Sequence, residues 1–177
     1  QPVMQIIEQW LEQSAEHVQQ TGSPLVTVSY AQSLDGSITA KRGQPLALSG
    51  AASSRFTHRL RSLHDAILVG VGTVLADDPL LTVRHVPGKA PQPVILDSHL
   101  RTPLNARLVA QHPGQVWIAA TQTAEPERIL RLQGAGARVI LLPTDPQNRV
   151  SLSKLLQSLA SQSIRSLMVE GGAQVIT

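Results

Sequence analysis

Apolar positions along this chain switch between two periods. From Pro2 to Gln20 they recur at helical spacing, as Val3, Ile6, Ile7, Trp10, Leu11, Ala15 and Val18, and Gly22-Ser23-Pro24 closes the run. The spacing predicts one amphipathic helix. Leu25 to Tyr30 then reads as a strand, and Asp35-Gly36 is a turn signal ahead of a second short strand from Ser37 to Ala40. Ser49 is a candidate cap for a helix from Gly50 to His64. Beyond it, short aliphatic runs alternate with helical ones. Strands are expected at Ala66–Val71, Pro93–Asp97, Val116–Ala120, Ala137–Leu142 and Ser166–Glu170. Between them stand a short helical turn ending at Asp77, a helix from Glu125 to Gln133 and another from Ser151 to Ala160. Gly171-Gly172 opens a last helix. Uniformly aliphatic strands separated by helices imply a mostly parallel sheet covered on both faces, an α/β/α three-layer sandwich.

Composition narrows the chemistry. Of 177 residues, 42% are hydrophobic and 15% charged, a globular balance. Aromatics make up 2%, too few for a surface that stacks single-stranded bases, so nucleic acid is not an expected partner. No apolar run is long enough to span a bilayer, no secretory signal is visible, and cytoplasm is the expected compartment. Zero cysteines exclude disulfides, thiolate zinc sites and Cys nucleophiles. The six histidines show no paired metal spacing, so no metal is expected. The net charge is +3. The densest basic stretch, Arg55 to Arg61, reads as a solvated helix face or as an attractor for a phosphate.

In a parallel sheet, ligands bind outside the carboxyl ends of the strands. Two strand ends here share a design: Val69-Gly70-Val71-Gly72-Thr73 and Val169-Glu170-Gly171-Gly172-Ala173. Glycines admit a ligand close to the backbone, and a following helix start favours a phosphate. They also serve as simple tight turns. Gly70-Val71-Gly72 supplies two glycines of a dinucleotide fingerprint, but Leu75 holds the third place. Asp97-Ser98-His99-Leu100-Arg101 closes another strand, where Ser and Arg suit the 2′-phosphate of NADP or form an ordinary polar loop. Glu170 closes a strand at the ligand edge. Asp35 sits in a turn, where local backbone bonding is its ordinary use. Arg61 and Arg84 suit a substrate phosphate. Thr73 and Asp77 share one helix face.

These residues carry a resemblance. Val26-Thr27-Val28-Ser29-Tyr30-Ala31-Gln32-Ser33-Leu34-Asp35-Gly36, the long stretch Leu60 to Arg84, Val94-Ile95-Leu96-Asp97-Ser98, Arg101-Thr102-Pro103 and Val169 to Ala173 resemble the pyrimidine reductases of riboflavin biosynthesis. That domain also forms the C-terminal part of bifunctional deaminase–reductases. The wording of the first stretch is closer to the stand-alone fungal and archaeal form. Ser29 stands where many bacterial members have Lys, and Pro45-Leu46-Ala47 where many have Ser-x-Trp.

The resemblance implies a dihydrofolate reductase-like fold, NADPH as hydride donor and a ribosylaminopyrimidine 5′-phosphate as substrate, in its diaminopyrimidinone or uracil form. It implies cofactor contacts at Ala47, Thr73, Asp77, Ser98, Gly171, Gly172, Ala173 and Gln174, and substrate contacts at Arg61, Leu81, Arg84 and Glu170. Asp35 and Glu170 are the candidates for orienting the substrate or supplying a proton. A homodimer is expected. Residues 1–22 read as a helical extension and 23–177 as the reductase domain, lacking the C-terminal strands of its relatives. Two alternatives stand beside this reading: a diverged NADPH reductase of the same fold, and a nucleotide-binding module without catalysis.

Overall fold

A computed structural model of the protein describes residues 2–31, 50–112, 114–172 and Val175. Among these residues six strands form one sheet, every pairing parallel: β1 (Leu25–Ser29), β2 (Ala66–Gly70), β3 (Gln92–Leu96), β4 (Trp117–Thr121), β5 (Arg138–Leu142) and β6 (Ser166–Glu170). Their order across the sheet is β1-β6-β2-β3-β4-β5. The last strand in sequence therefore lies between the first two, and its carboxyl end meets theirs.

Among the described residues, seven helices connect or precede the strands: α1 (Pro2–Glu12), α2 (Ser14–Thr21), α3 (Ala51–Leu63), α4 (Val71–Asp77), α5 (Arg107–Gln111), α6 (Pro126–Gly134) and α7 (Leu152–Ser161). Alternate residues of the strands feed two separate cores, as a period of two requires. Ile67, Val69, Ile95 and Ile118 pack with Val74 of α4, Leu108 of α5 and Leu132 of α6. Leu68, Val94, Leu167 and Val169 pack with Leu155 and Leu159 of α7. Two cores, one on each face, make the three layers of the expected sandwich.

The first predicted helix is two helices. Gln13 sits near φ −85°, ψ 0° and its N–H bonds back three residues to Trp10, so the chain tightens there and resumes as α2. The apolar spacing carries through the tightened turn and so concealed it. Helix α3 begins at Ala51, with Gly50 in extended conformation at its cap; Ser49 lies outside the described residues, as does the strand expected at 37–40. Helix α5 has no counterpart in the sequence pattern. It is a single turn, and the Asp78 carboxylate accepts its Arg107 N–H at 2.8 Å from 29 residues away. A cap supplied across the fold leaves no local signal.

Candidate functional site

The parallel register brings the critical strand ends together. Ser29 of β1 is paired with Glu170 of β6, and Leu68 of β2 with Val169 of β6. Glu170 therefore closes the middle strand of three. Gly171 and Gly172 follow it at φ 74° and 87°, a left-handed backbone that glycine adopts without strain. Their turn folds toward β2. A methyl group placed on Gly172 would lie 3.5 Å from Thr73 Oγ1 and 3.7 Å from the Gly70 nitrogen; one on Gly171 would lie 3.9 Å from the same hydroxyl. The two glycine-bearing strand ends singled out in the sequence thus face each other across a few ångströms. Helix α4 starts at Val71 directly from β2, so Gly72 lies inside its first turn and has open space beside it.

A second group stands beside this corner. Arg61, near the end of α3, grips Glu170 through two parallel bonds of 2.6 Å each, from Nε to Oε1 and from Nη2 to Oε2. Its remaining arm, Nη1, donates to the Thr82 carbonyl at 3.0 Å. Both side chains of the pair are largely buried, 13% and 16% exposed. Arg61 and Glu170 are therefore engaged with each other, and a substrate contact by either one uses what this fork leaves open.

The segment after α4 supplies the rest. Leu81 is buried although its φ of 53° is a conformation that costs a non-glycine residue about 1 kcal/mol. Arg84 is exposed, and its guanidinium makes no ion pair among the described residues. Its backbone N–H donates to Nδ1 of His58, a buried residue of α3, at 3.1 Å. Burial, with Arg61, His85 and Arg84 nearby, depresses the His58 pKa to about 4, although the Thr82 carbonyl, as an acceptor for a ring N–H, opposes the shift. The ring of His85 stands edge-on to His58 at 4.5 Å. The basic stretch of α3 thus divides: Arg55 and Arg59 are exposed, with Arg59 paired to Glu8, while His58 and Arg61 turn inward.

Thr73 and Asp77 occupy the first and last turns of α4. Partial burial raises the Asp77 pKa above the ordinary carboxylate value. Ser98 follows β3, where its hydroxyl accepts the Val150 N–H at 3.1 Å and its carbonyl accepts from both Thr121 groups. Its own hydroxyl proton remains available to a ligand. Asp35, Ala47, Ala173 and Gln174 lie outside the described residues. Among the described residues no group of His, Asp and Glu is arranged to hold a metal ion, and no helix is long and apolar enough to cross a membrane.

Two residues here, His58 and Thr82, were not singled out in the sequence. His58 has a usable signal, since it precedes Arg61 by three on a predicted helix and so shares its face. Thr82 has none. Asp97, which follows β3, is fully buried, with Oδ2 accepting both the N–H and the hydroxyl of Thr102 at 2.7 Å, and its Oδ1 has no partner among the described residues.

Residues 24–177 match the RibD C-terminal domain family. The chain belongs to that family. It is 38% identical over 164 residues to a 2,5-diamino-6-ribosylamino-4(3H)-pyrimidinone 5′-phosphate reductase of Archaeoglobus fulgidus, covering 87% of this chain and 73% of that one. It is 34% identical over 170 residues to the protein of the same name from Candida glabrata, covering 88% and 68%. Against the riboflavin biosynthesis protein RibD of Actinobacillus pleuropneumoniae it is 35% identical over 159 residues, and there it spans only 42% of the relative's length. Among solved structures, RibD of Acinetobacter baumannii superposes with a TM-score of 0.75 at 32% identity, over 92% of this chain and 44% of that one. A riboflavin biosynthesis reductase of Saccharomyces cerevisiae gives 0.65 at 32% identity, over 88% and 66%. The fold of this RibD C-terminal domain is that of the family's reductase domains, and a reductase of this pathway works with a nicotinamide cofactor.

Proposed function

We propose that this RibD C-terminal domain is an NADPH-dependent reductase that converts the ribosyl group of a ribosylaminopyrimidine 5′-phosphate to the ribityl form. One observation carries the reading. Glu170 and Gly171 are consecutive residues, so the acid gripped by Arg61 and the glycine turn facing Thr73 are two sides of one strand end. A cofactor on the glycine side and a substrate on the arginine side are thereby held against each other.

The residues fit such a cofactor. The turn at Gly171 and Gly172 presents bare backbone toward Thr73, with the Val175 side chain beside it, and a dinucleotide backbone can approach such a turn closely. Two to three strands further along the same sheet edge, a cleft of about 540 Å³ is lined by His99, Arg101, Thr123, Ala124, Glu125 and Arg128. Strands are about 4.8 Å apart, so this cleft lies roughly 10–15 Å from the glycine turn, within reach of one extended dinucleotide. Arg101, with the Ser98 hydroxyl, suits the 2′-phosphate there. The cofactor supplies hydride. The chain's own residues position the open-chain carbonyl or imine carbon that receives it, and a proton reaches the heteroatom that gains charge. Glu170, ionised against Arg61, orients the substrate, and Asp35 is the candidate for supplying that proton. Arg84 takes the 5′-phosphate, and Thr73 and Asp77 hold the cofactor. The working unit in this reading is a cytoplasmic homodimer.

The test is turnover. Reduced cofactor is mixed with the protein and with the diaminopyrimidinone or uracil form of the substrate, and products are identified by mass. The reading expects loss of reduced-nicotinamide absorbance and a product richer by two hydrogens with at least one form. Tight NADPH binding without oxidation would instead establish a non-catalytic module, and oxidation only with a different carbonyl compound would establish a diverged reductase.

A further inference from the structure

Arg84 binds a phosphate more tightly if its backbone is already fixed, because a mobile loop also loses backbone freedom on binding. The loop carrying it is held from α3 at two points three residues apart. Arg61 Nη1 donates to the Thr82 carbonyl at 3.0 Å, and His58 Nδ1 accepts the Arg84 N–H at 3.1 Å. Between α4 and these contacts, Leu81 is driven into the interior at a left-handed φ. That conformation persists only where surrounding contacts determine it.

We infer that His58 is a positioning residue: its neutral ring, by accepting the Arg84 N–H, fixes the loop so that the Arg84 guanidinium is presented to the phosphate of the substrate. The inference rests on the phosphate role proposed for Arg84. The Nδ1 atom must lack a proton to accept that bond, which leaves the single ring proton on Nε2. The groups facing the ring favour that neutral state. Arg61 approaches from its own helix, and Arg84 and His85 from the loop; all three oppose a positive charge on it, while the Thr82 carbonyl alone favours one. Burial acts with the cations. A protonated ring could not accept the Arg84 N–H, and the two would repel. The device therefore works as an acceptor and not as an acid, which separates it from a proton-donating role in the reaction.

The substitutions that test this are His58→Leu, which keeps an apolar side chain of similar bulk, and His58→Asn, whose Oδ1 occupies the place of Nδ1 and accepts the same bond. A side chain needed only for packing would tolerate Leu better than Asn. The inference expects the reverse order. His58→Leu should raise KM for the phosphorylated substrate about tenfold with kcat within about twofold, and His58→Asn should stay near the wild type. With the dephosphorylated substrate, all three proteins should have equal KM values. Wild-type KM retained in His58→Leu, or an equal loss with both substrates, would overturn the inference. So would a nitrogen NMR spectrum of the wild-type ring showing the proton on Nδ1, a reading that needs no variant to fold. If the wild type does not turn over, the proposed function fails. Titration with ribose 5-phosphate, followed at the Arg84 backbone amide, then decides this inference separately. It expects a saturable shift that His58→Leu weakens about tenfold and His58→Asn preserves; no shift, or equal affinity in all three proteins, refutes it.

Discussion

Arg61 and Glu170 lie 109 residues apart in sequence and meet through two parallel 2.6 Å bonds in a largely buried fork. The pair ties the end of α3 to the carboxyl end of β6. Removing one partner strands the other charge away from water. Arg61→Ala and Glu170→Ala should each destabilise the fold by about 3 kcal/mol. The double substitution should cost clearly less than the two losses added together, because no charge is then left unpaired. Urea unfolding of the two single variants and the double variant measures this directly. Additive losses would show that the fork contributes no coupling.

Gly172 adopts φ 87°, and a methyl group there would enter the space between its turn and Thr73. Gly172→Ala should lower NADPH affinity at least about tenfold, with strain of about 1 kcal/mol in the fold. Gly114 has φ 81° but open space around it and lies away from the strand ends that bind. Gly114→Ala should carry similar strain and leave the cofactor affinity unchanged. Cofactor fluorescence titration of both variants separates close approach from backbone strain.

His58 and His64 are both buried and both titrate below the ordinary histidine value of 6.5, His58 at about 4. Burial is the leading cause in each case. His64 bonds the Leu60 carbonyl and the Thr27 hydroxyl through its two nitrogens, as one neutral tautomer can. Below pH 6.5 the unfolded chain binds protons that the native rings refuse. The stability these groups contribute is thus fully present above pH 6.5 and declines as pH falls toward 4. Between about pH 7 and about pH 5, Tm should fall by on the order of 5 °C, and His58→Asn should flatten part of that slope. Calorimetric scans across this range check the sign; a Tm that rises on acidification contradicts it.

Arg101 and the Ser98 hydroxyl define the far end of the cofactor path. Arg101→Ala should weaken NADPH binding about tenfold and leave NADH binding unchanged, because only NADPH carries the 2′-phosphate. Competition by 2′,5′-ADP should weaken in parallel. Equal losses for both cofactors would remove Arg101 from this role.

The sheet was legible because fully buried parallel strands are continuous aliphatic runs, and Ala66-Ile67-Leu68-Val69 and Ser166-Leu167-Met168-Val169 carry that signal undiluted. The meeting of the two glycine-bearing strand ends was legible for the same reason, once both were placed at carboxyl ends of one sheet. What did not show was long-range. Helix α5 depends on Asp78 for its cap, and its five residues are too few to set a period. The fork between Arg61 and Glu170 joins two residues that the sequence offered separately, Arg61 as a substrate contact and Glu170 as a substrate contact and proton candidate. The inward turn of His58 was hidden in a stretch whose Arg55 and Arg59 do face solvent. Spacing on a helix shows which residues share a face, but not which face the rest of the fold will cover.

A crystal structure with NADPH and the ribosylaminopyrimidine phosphate bound is the most direct measurement. The account predicts cofactor density along the Gly171–Gly172 turn and over Thr73, with the substrate phosphate on Arg84 and the sugar carbon beside the nicotinamide. Cofactor density away from that turn, or a substrate phosphate remote from Arg84, would contradict it.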